Sequence, residues 1–229
     1  MSRSSTLVSN PAIRTLKFKG EKFNKKTKEI DQEAGWYWWN KEGNNGEGEN
    51  VLEPIPIKFF WLESAQSFTG YNSKTEKGLY SNEILPSFDA VKKYGKKELE
   101  LKSDGETLLK GYYKDIKEEA KGFGAKFCIP VYAAMEIDGE FEIIRFLMTG
   151  ASGSAWMQFN KDSKNLTNAI VCYDTIDMDM KTGDTYKAPL FKYVPATDEE
   201  ISKCDELVKK IDDYFDYILS DEPENDADY

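Results

Sequence analysis

The most regular apolar pattern in the chain consists of two alternating stretches, Phe127 to Met135 and Phe141 to Met148, on either side of Asp138-Gly139. An Asp-Gly pair in that position is the strongest short-range hairpin signal, because both central residues of a type I′ turn need positive φ. With these two as the loop, Val131 faces Phe146, Ile129 faces Met148 and Ala133 faces Ile144, and that face is core. Side chains alternate along a strand, so the other face sets Tyr132 opposite Arg145, among Pro130, Leu147, Ala134 and Ile143. An aromatic ring beside a guanidinium can stack a base and hold a phosphate. The alternative is a cation–π pair, or an arginine meeting a carboxylate from elsewhere in the fold. Pro130 predicts an edge strand or a bulge.

The same alternation organises the first half of the chain. In Gly35-Trp-Tyr-Trp-Trp39, Trp36 and Trp38 share one face and Tyr37 and Trp39 the other, so one pair is core and the second either stacks bases or is covered. Pro54 to Leu62 reads as a strand, with Ile57, Phe59 and Trp61 on one face and Lys58, Phe60 and Leu62 on the other. A long loop is predicted from Glu63 to Leu79, then a strand from Tyr80 that turns at Pro86. Ser103 or Asp104 would cap a helix from about Glu106 to Lys121, with Leu108, Leu109, Tyr112, Ile116 and Ala120 on one side and Gly122 and Gly124 at its end. Ile170 to Met180 and Thr185 to Val194 pair as a second hairpin. Thr197-Asp-Glu-Glu200 is a capping box opening a helix whose seam is Ile201, Cys204, Val208, Ile211, Phe215 and Ile218. That seam docks on the core or on a second subunit, which allows a homo-oligomer.

Charge is segregated along the chain. Residues 1 to 28 hold eight bases against Glu21, residues 212 to 229 hold eight acids and no base, and the net charge of the whole is -10. Residues 1–35 therefore read as a basic arm, partly disordered, that can contact phosphates, and residues 220–229 as a disordered acidic tail. The lysines Lys92, Lys93, Lys96 and Lys97 read as a solvated face, or as phosphate neutralisers if a groove lies beside them.

Chemistry is narrowed by what is missing. The 229 residues include no histidine, which removes the commonest general base and the Ser-His and Cys-His nucleophile arrangements. Cys128, Cys172 and Cys204 are odd in number and widely spaced, so they predict reduced, buried thiols rather than a disulfide framework or zinc site. Asp174, Asp177 and Asp179 hint at a metal-dependent nuclease, but an EF-hand counted from Asp177 would need glycine and glutamate where Thr182 and Ala188 stand. No enzyme activity, cofactor or metal is expected. No apolar leader or run of roughly 18 apolar residues is present, and the expectation is a cytoplasmic protein away from membranes.

The fold class is mainly β with helices, and the order strand-strand-strand-helix-strand-strand matches a five-stranded OB-fold barrel. To it are added a hairpin, the C-terminal helix and the tail. The residues add a resemblance. Phe60-Trp-Leu62, Gly70-Tyr71, Tyr80-Ser-Asn-Glu83, Gly111-Tyr-Tyr-Lys-Asp-Ile116, Ala125-Lys-Phe127, Val131-Tyr132 and Gly150-Ala-Ser-Gly-Ser-Ala-Trp156-Met-Gln-Phe159 together resemble bacteriophage single-stranded DNA-binding proteins. That resemblance implies an OB-fold-like DNA-binding domain over 36–196, a helix over 197–219, and sequence-independent binding of single-stranded DNA in phage replication, recombination or repair, in the host cytoplasm. Aromatic stackers would be Trp36, Trp38, Phe60, Tyr71, Tyr112 and Tyr132, and phosphate partners Lys58, Lys74, Lys77, Lys126 and Arg145. The tail, with Asp221, Glu222, Glu224, Asp226, Asp228 and Tyr229, resembles the acidic C-termini through which such proteins recruit replication and recombination proteins. A protein-interaction or virion-associated module without DNA binding is the alternative.

Overall fold

In the computed structural model, residues 9–12, 14–23, 26–27, 29–39, 51–160, 168–179 and 185–220 are described. In chain order the strands and helices are β1 (Arg14–Lys19), β2 (Lys22–Phe23), β3 (Ile30–Gln32), β4 (Gly35–Trp39), β5 (Leu52–Glu53), β6 (Ile57–Ser64), β7 (Ser67–Asn72), β8 (Lys77–Ser81), α1 (Phe88–Tyr94), β9 (Leu99–Ser103), β10 (Glu106–Gly111), α2 (Tyr113–Gly122), β11 (Ala125–Ile137), β12 (Glu140–Thr149), α3 (Gly150–Phe159), β13 (Asn168–Asp179), β14 (Thr185–Pro195) and α4 (Asp198–Leu219). All strands but β2 and β3 join one twelve-stranded sheet.

Asp138 and Gly139 take φ of 53° and 88°, so the predicted turn forms and sets the register of the central hairpin. Val131 pairs with Phe146, Tyr132 with Arg145 and Ala133 with Ile144. The other edge of β11 is also occupied, by β7 along residues 125–128 and by β6 along 131–134. The Ala65 amide donates to the Pro130 carbonyl at 2.9 Å where β6 gives way to β7. Pro130 thus lies in the most interior strand, at the junction of two partners where its missing N–H is tolerated.

The sheet curls around its inner face. Ile57 and Phe59 of β6, Val131 and Ala133 of β11, Ile144 and Phe146 of β12, Leu16 of β1, Trp36 of β4 and Ile170 and Cys172 of β13 form one core cluster. Its two ends meet through side chains: the Trp36 indole N–H donates to Cys172 Sγ at 3.3 Å. Trp156 of α3 fills the centre, within 6.3 Å of the Phe59 ring and 5.6 Å of the Trp61 and Phe191 rings. A second cluster lies on the outer face, where Cys204, Leu207, Ile211, Tyr214 and Phe215 of α4 cover Phe60, Leu62, Tyr132, Ala134 and Ile143. A third joins β7, β8 and β9 to α2 through Phe68, Leu79, Leu99, Leu101, Ile116 and Ala120.

Several expectations change. The helix over 106–121 is instead the strand β10 followed by α2, because Asp104 and Gly105 take φ of 53° and 83° and make a second two-residue turn. An extra residue, Leu108, bulges out of β10 and produces the apparent helical spacing of Leu108, Leu109 and Tyr112. The loop over 63–79 is the β7–β8 hairpin. α1, capped by the Ser87 hydroxyl at 3.2 Å from the Ala90 amide, follows the Pro86 turn. The arm contributes β1, which pairs in parallel with β12 and antiparallel with β4 and buries Leu16 completely. No pairing among the described residues returns β10 to β12, whose second edge holds β1. The α4 capping box forms, and the helix docks on its own sheet through Cys204, Leu207, Ile211, Tyr214, Phe215 and Leu219. All three cysteines are buried and unpaired. No helix among the described residues is long and apolar enough to cross a membrane.

The end of β7 and the start of β11 lie in unusually close contact. A Cβ on Gly124, whose φ is +97°, would lie 2.4 Å from the Tyr71 carbonyl oxygen, and one on Gly70 would lie 2.4 Å from the Gly124 oxygen. Both obstacles are backbone. Gly124→Ala is expected to lower stability by at least about 2 kcal/mol in urea unfolding, whereas Gly122→Ala, with open space around it, has no such clash.

Candidate nucleic-acid interface

The outer face of the sheet is only partly covered by α4. Beyond its reach, β11, β7, β8, β9 and β10 bring Lys126, Thr69, Tyr80, Lys102 and Thr107 into one cross-strand row. Alternation explains the row, since the intervening residues Ala125, Phe68, Leu79 and Leu101 all point into the core on the other side. Tyr80 is 47% exposed and Tyr71, one step along β7 on the same face, is 57% exposed. The Gly105 amide donates to the Tyr80 hydroxyl at 3.2 Å, which fixes the ring against the β9–β10 turn. Lys126 and Lys74 form no ion pair among the described residues, whereas Lys102 lies 3.3 Å from Glu100 and Lys77 lies 2.6 Å from Asp104.

Next to this face lies a buried polar cluster. Tyr132 donates to Glu83 Oε2 at 2.5 Å and Arg145 Nη1 to Glu83 Oε1 at 3.0 Å. Asn10 donates to the Tyr132 hydroxyl at 2.9 Å and to the Tyr214 hydroxyl at 3.4 Å. Burial pushes the Glu83 carboxyl above its ordinary range, with Arg145 and the hydrogen bonds pulling the other way. Lys17, on the neighbouring β1, is pushed down to about 8, first by burial and then by the cations Arg145 and Lys19. The Cys128 thiol itself is raised to about 12 by burial, so it is uncharged.

The candidates read from the sequence separate into three groups. Tyr71, Lys74, Lys77 and Lys126 come together around the β7–β8 hairpin and the start of β11. Trp36, Phe60 and Tyr132 are core residues with 0%, 2% and 0% exposure, and this corrects the expectation that they offer a face to bases. Tyr132 fails as a stacker because α4, from far along the chain, lies over the outer face of the hairpin, with Phe215 edge-on at 5.5 Å. The carboxylate alternative for Arg145 is the one realised.

The remaining candidates have intramolecular partners. Trp38 is half-buried and donates its indole N–H to Glu53 at 2.5 Å. Tyr112 is half-buried with Lys96 Nζ 3.7 Å above its ring, and Lys58 pairs with Glu200 at the start of α4. Asp221, Glu222, Glu224, Asp226, Asp228 and Tyr229 lie outside the described residues. Sequence reasoning missed Tyr80, Lys102 and Lys17. Alternation within Lys77–Ser81 opposite the buried Leu79 was the available signal for Tyr80. Among the described residues no group of three or more acidic or sulfur side chains is placed to hold a metal ion, Asp174, Asp177 and Asp179 included; Asp177 pairs with Lys187 at 3.1 Å.

Comparison with protein-family models, with curated proteins and with solved structures finds no match.

Two outcomes follow for the polar cluster. Glu83→Ala leaves the Arg145 guanidinium, 28% exposed, without its anion, and is expected to cost about 3 kcal/mol in urea unfolding. Lys17 has a folded pKa near 8 against an ordinary 10.5, so its charge opposes folding fully below about pH 8 and not at all above 10.5. Lys17→Met should therefore raise the unfolding midpoint at pH 7, with the gain fading when the titration is repeated through pH 8 to 10.5.

Proposed function

We propose that this protein binds single-stranded DNA without sequence preference, in replication, recombination or repair, and performs no catalysis. The reading rests on one observation above all: Tyr80 and Tyr71 are exposed on the same sheet face as Lys126 and Lys102, with Lys74 in the adjoining β7–β8 turn. Planar rings stack any base, and ammonium groups beside them neutralise backbone phosphate, so such a face tolerates sequence. Support for an OB-fold-like barrel comes from the curl of the sheet and from the position of α2 between the strands β7 to β10 and the hairpin β11–β12. The acidic residues 221–229 are the proposed recruiting segment for partner proteins. The motif resemblance to phage single-stranded DNA-binding proteins points the same way.

One observation favours a second reading, a protein-interaction module: Phe88 on α1 is 81% exposed and Val91, one turn on, is 39% exposed. Anisotropy of a labelled dT oligomer and of a labelled duplex, at two salt concentrations, separates the two. The DNA reading expects binding of the single strand that weakens with salt, a loss of about 1–3 kcal/mol for Tyr80→Ala, and a smaller salt slope for Lys126→Ala. Absence of binding by the parent protein would leave the Phe88 surface as the functional one.

A further inference from the structure

We propose that Arg145 and Lys17 form a phosphate-binding subsite on the outer face, and that Glu83 is the internal anion an incoming phosphoryl group displaces. The inference deepens the nucleic-acid reading and rests on it for the origin of the phosphate.

Arginine commonly grips a carboxylate with two parallel N–H···O bonds. Here the grip is one-armed. Glu83 divides its two oxygens, one to Tyr132 and one to Arg145 Nη1, and Arg145 Nε is buried with no acceptor among the described residues. A guanidinium has five N–H donors and loses no charge at any working pH, so Glu83 leaves most of its hydrogen-bonding capacity unused. The side chain is 28% exposed, so part of the group faces solvent beside the region that α4 covers.

The strand register supplies the second cation. Thr15 pairs with Arg145, and Lys17 with Leu147, in the parallel β1–β12 ladder. Lys17 is therefore the next side chain along β1 on the face that carries Arg145. Two cations held side by side and partly out of water repel each other, and a tetrahedral oxyanion between them reverses that term. Cys128, also near both cations, keeps its proton and adds no charge. On β11 the next residue toward the N-terminus on that face is Lys126, so the subsite continues into the row with Tyr80. A backbone phosphate bound there would anchor a strand whose bases lie over β7 and β8.

Glu83 makes the subsite competitive. Its carboxylate is favoured as partner while nothing else is bound, and a phosphate, with more charge and more acceptor oxygens, replaces it on Arg145 while Tyr132 retains its hydrogen bond.

The test uses the full chain and two probes, inorganic pyrophosphate and a dT oligomer, followed by the arginine Nε–Hε NMR signals. Only Arg3, Arg14 and Arg145 contribute, and Arg145→Lys assigns the third signal. Both probes are expected to move the Arg145 signal, Lys17→Met to weaken pyrophosphate roughly tenfold, and Glu83→Gln to tighten it about fivefold. Should Glu83→Gln not fold, Tyr132→Phe frees the second Glu83 oxygen for Arg145 and is expected to weaken pyrophosphate. A shift with pyrophosphate and no binding of the oligomer by anisotropy keeps the subsite as a receptor for free phosphate and removes the DNA reading. An oligomer that binds without moving the Arg145 signal that pyrophosphate moves overturns the backbone phosphate as the subsite's ligand. An oligomer that binds by anisotropy while the Arg145 signal stays fixed with both probes overturns the subsite and leaves the DNA reading intact. No binding of either probe overturns both.

Discussion

One carboxylate connects parts of the chain that are far apart in sequence. Glu83, in the connection after β8, accepts from Tyr132 of β11 and from Arg145 of β12, and Tyr132 is tied through Asn10 to Tyr214 of α4. A carboxylate taken out of water is tolerated only with such partners. The position of α4 against the sheet is thus set by polar geometry as well as by apolar burial. Where α4 lies, in turn, decides which part of the outer face is core and which part is open.

That division explains how a chain of net negative charge can leave individual lysines without an acidic partner on one open face. Many of its lysines are neutralised within the fold: Lys58 by Glu200, Lys93 by Asp216, Lys187 by Asp177 and Lys203 by Glu199. Lys126 and Lys74 have no such partner among the described residues and stand beside the two exposed tyrosines. Net charge sums over all of these, whereas a ligand meets only the local arrangement. The close backbone crossing at Gly70 and Gly124 serves the same surface, because it holds the Tyr71 end of β7 against the start of β11.

The features legible in the sequence were those set by neighbouring residues. Asp138-Gly139 specified its turn, the alternation around it specified the register, and Thr197 with Glu200 specified where α4 begins, since each depends on φ preferences or hydrogen bonds a few residues apart. The same Asp-Gly signal at 104–105 was overshadowed by Leu108, Leu109, Tyr112 and Ile116, whose spacing imitates a helix only because one residue of β10 is bulged out. Alternation also placed Tyr132 and Arg145 on one face correctly.

What alternation could not supply is the occupant of that face. The sequence by itself determined the central hairpin, the second hairpin, the C-terminal helix and the pairing of side chains across β11 and β12. Tertiary structure alone decided that α4 encloses Tyr132, that Glu83 meets Arg145, that the arm inserts β1 beside β12, and that Tyr80 and Lys102 join Lys126 in one row. The physical reason is range: turns and alternation are written in local backbone preference, while covering a sheet face and pairing a buried charge depend on segments tens of residues away.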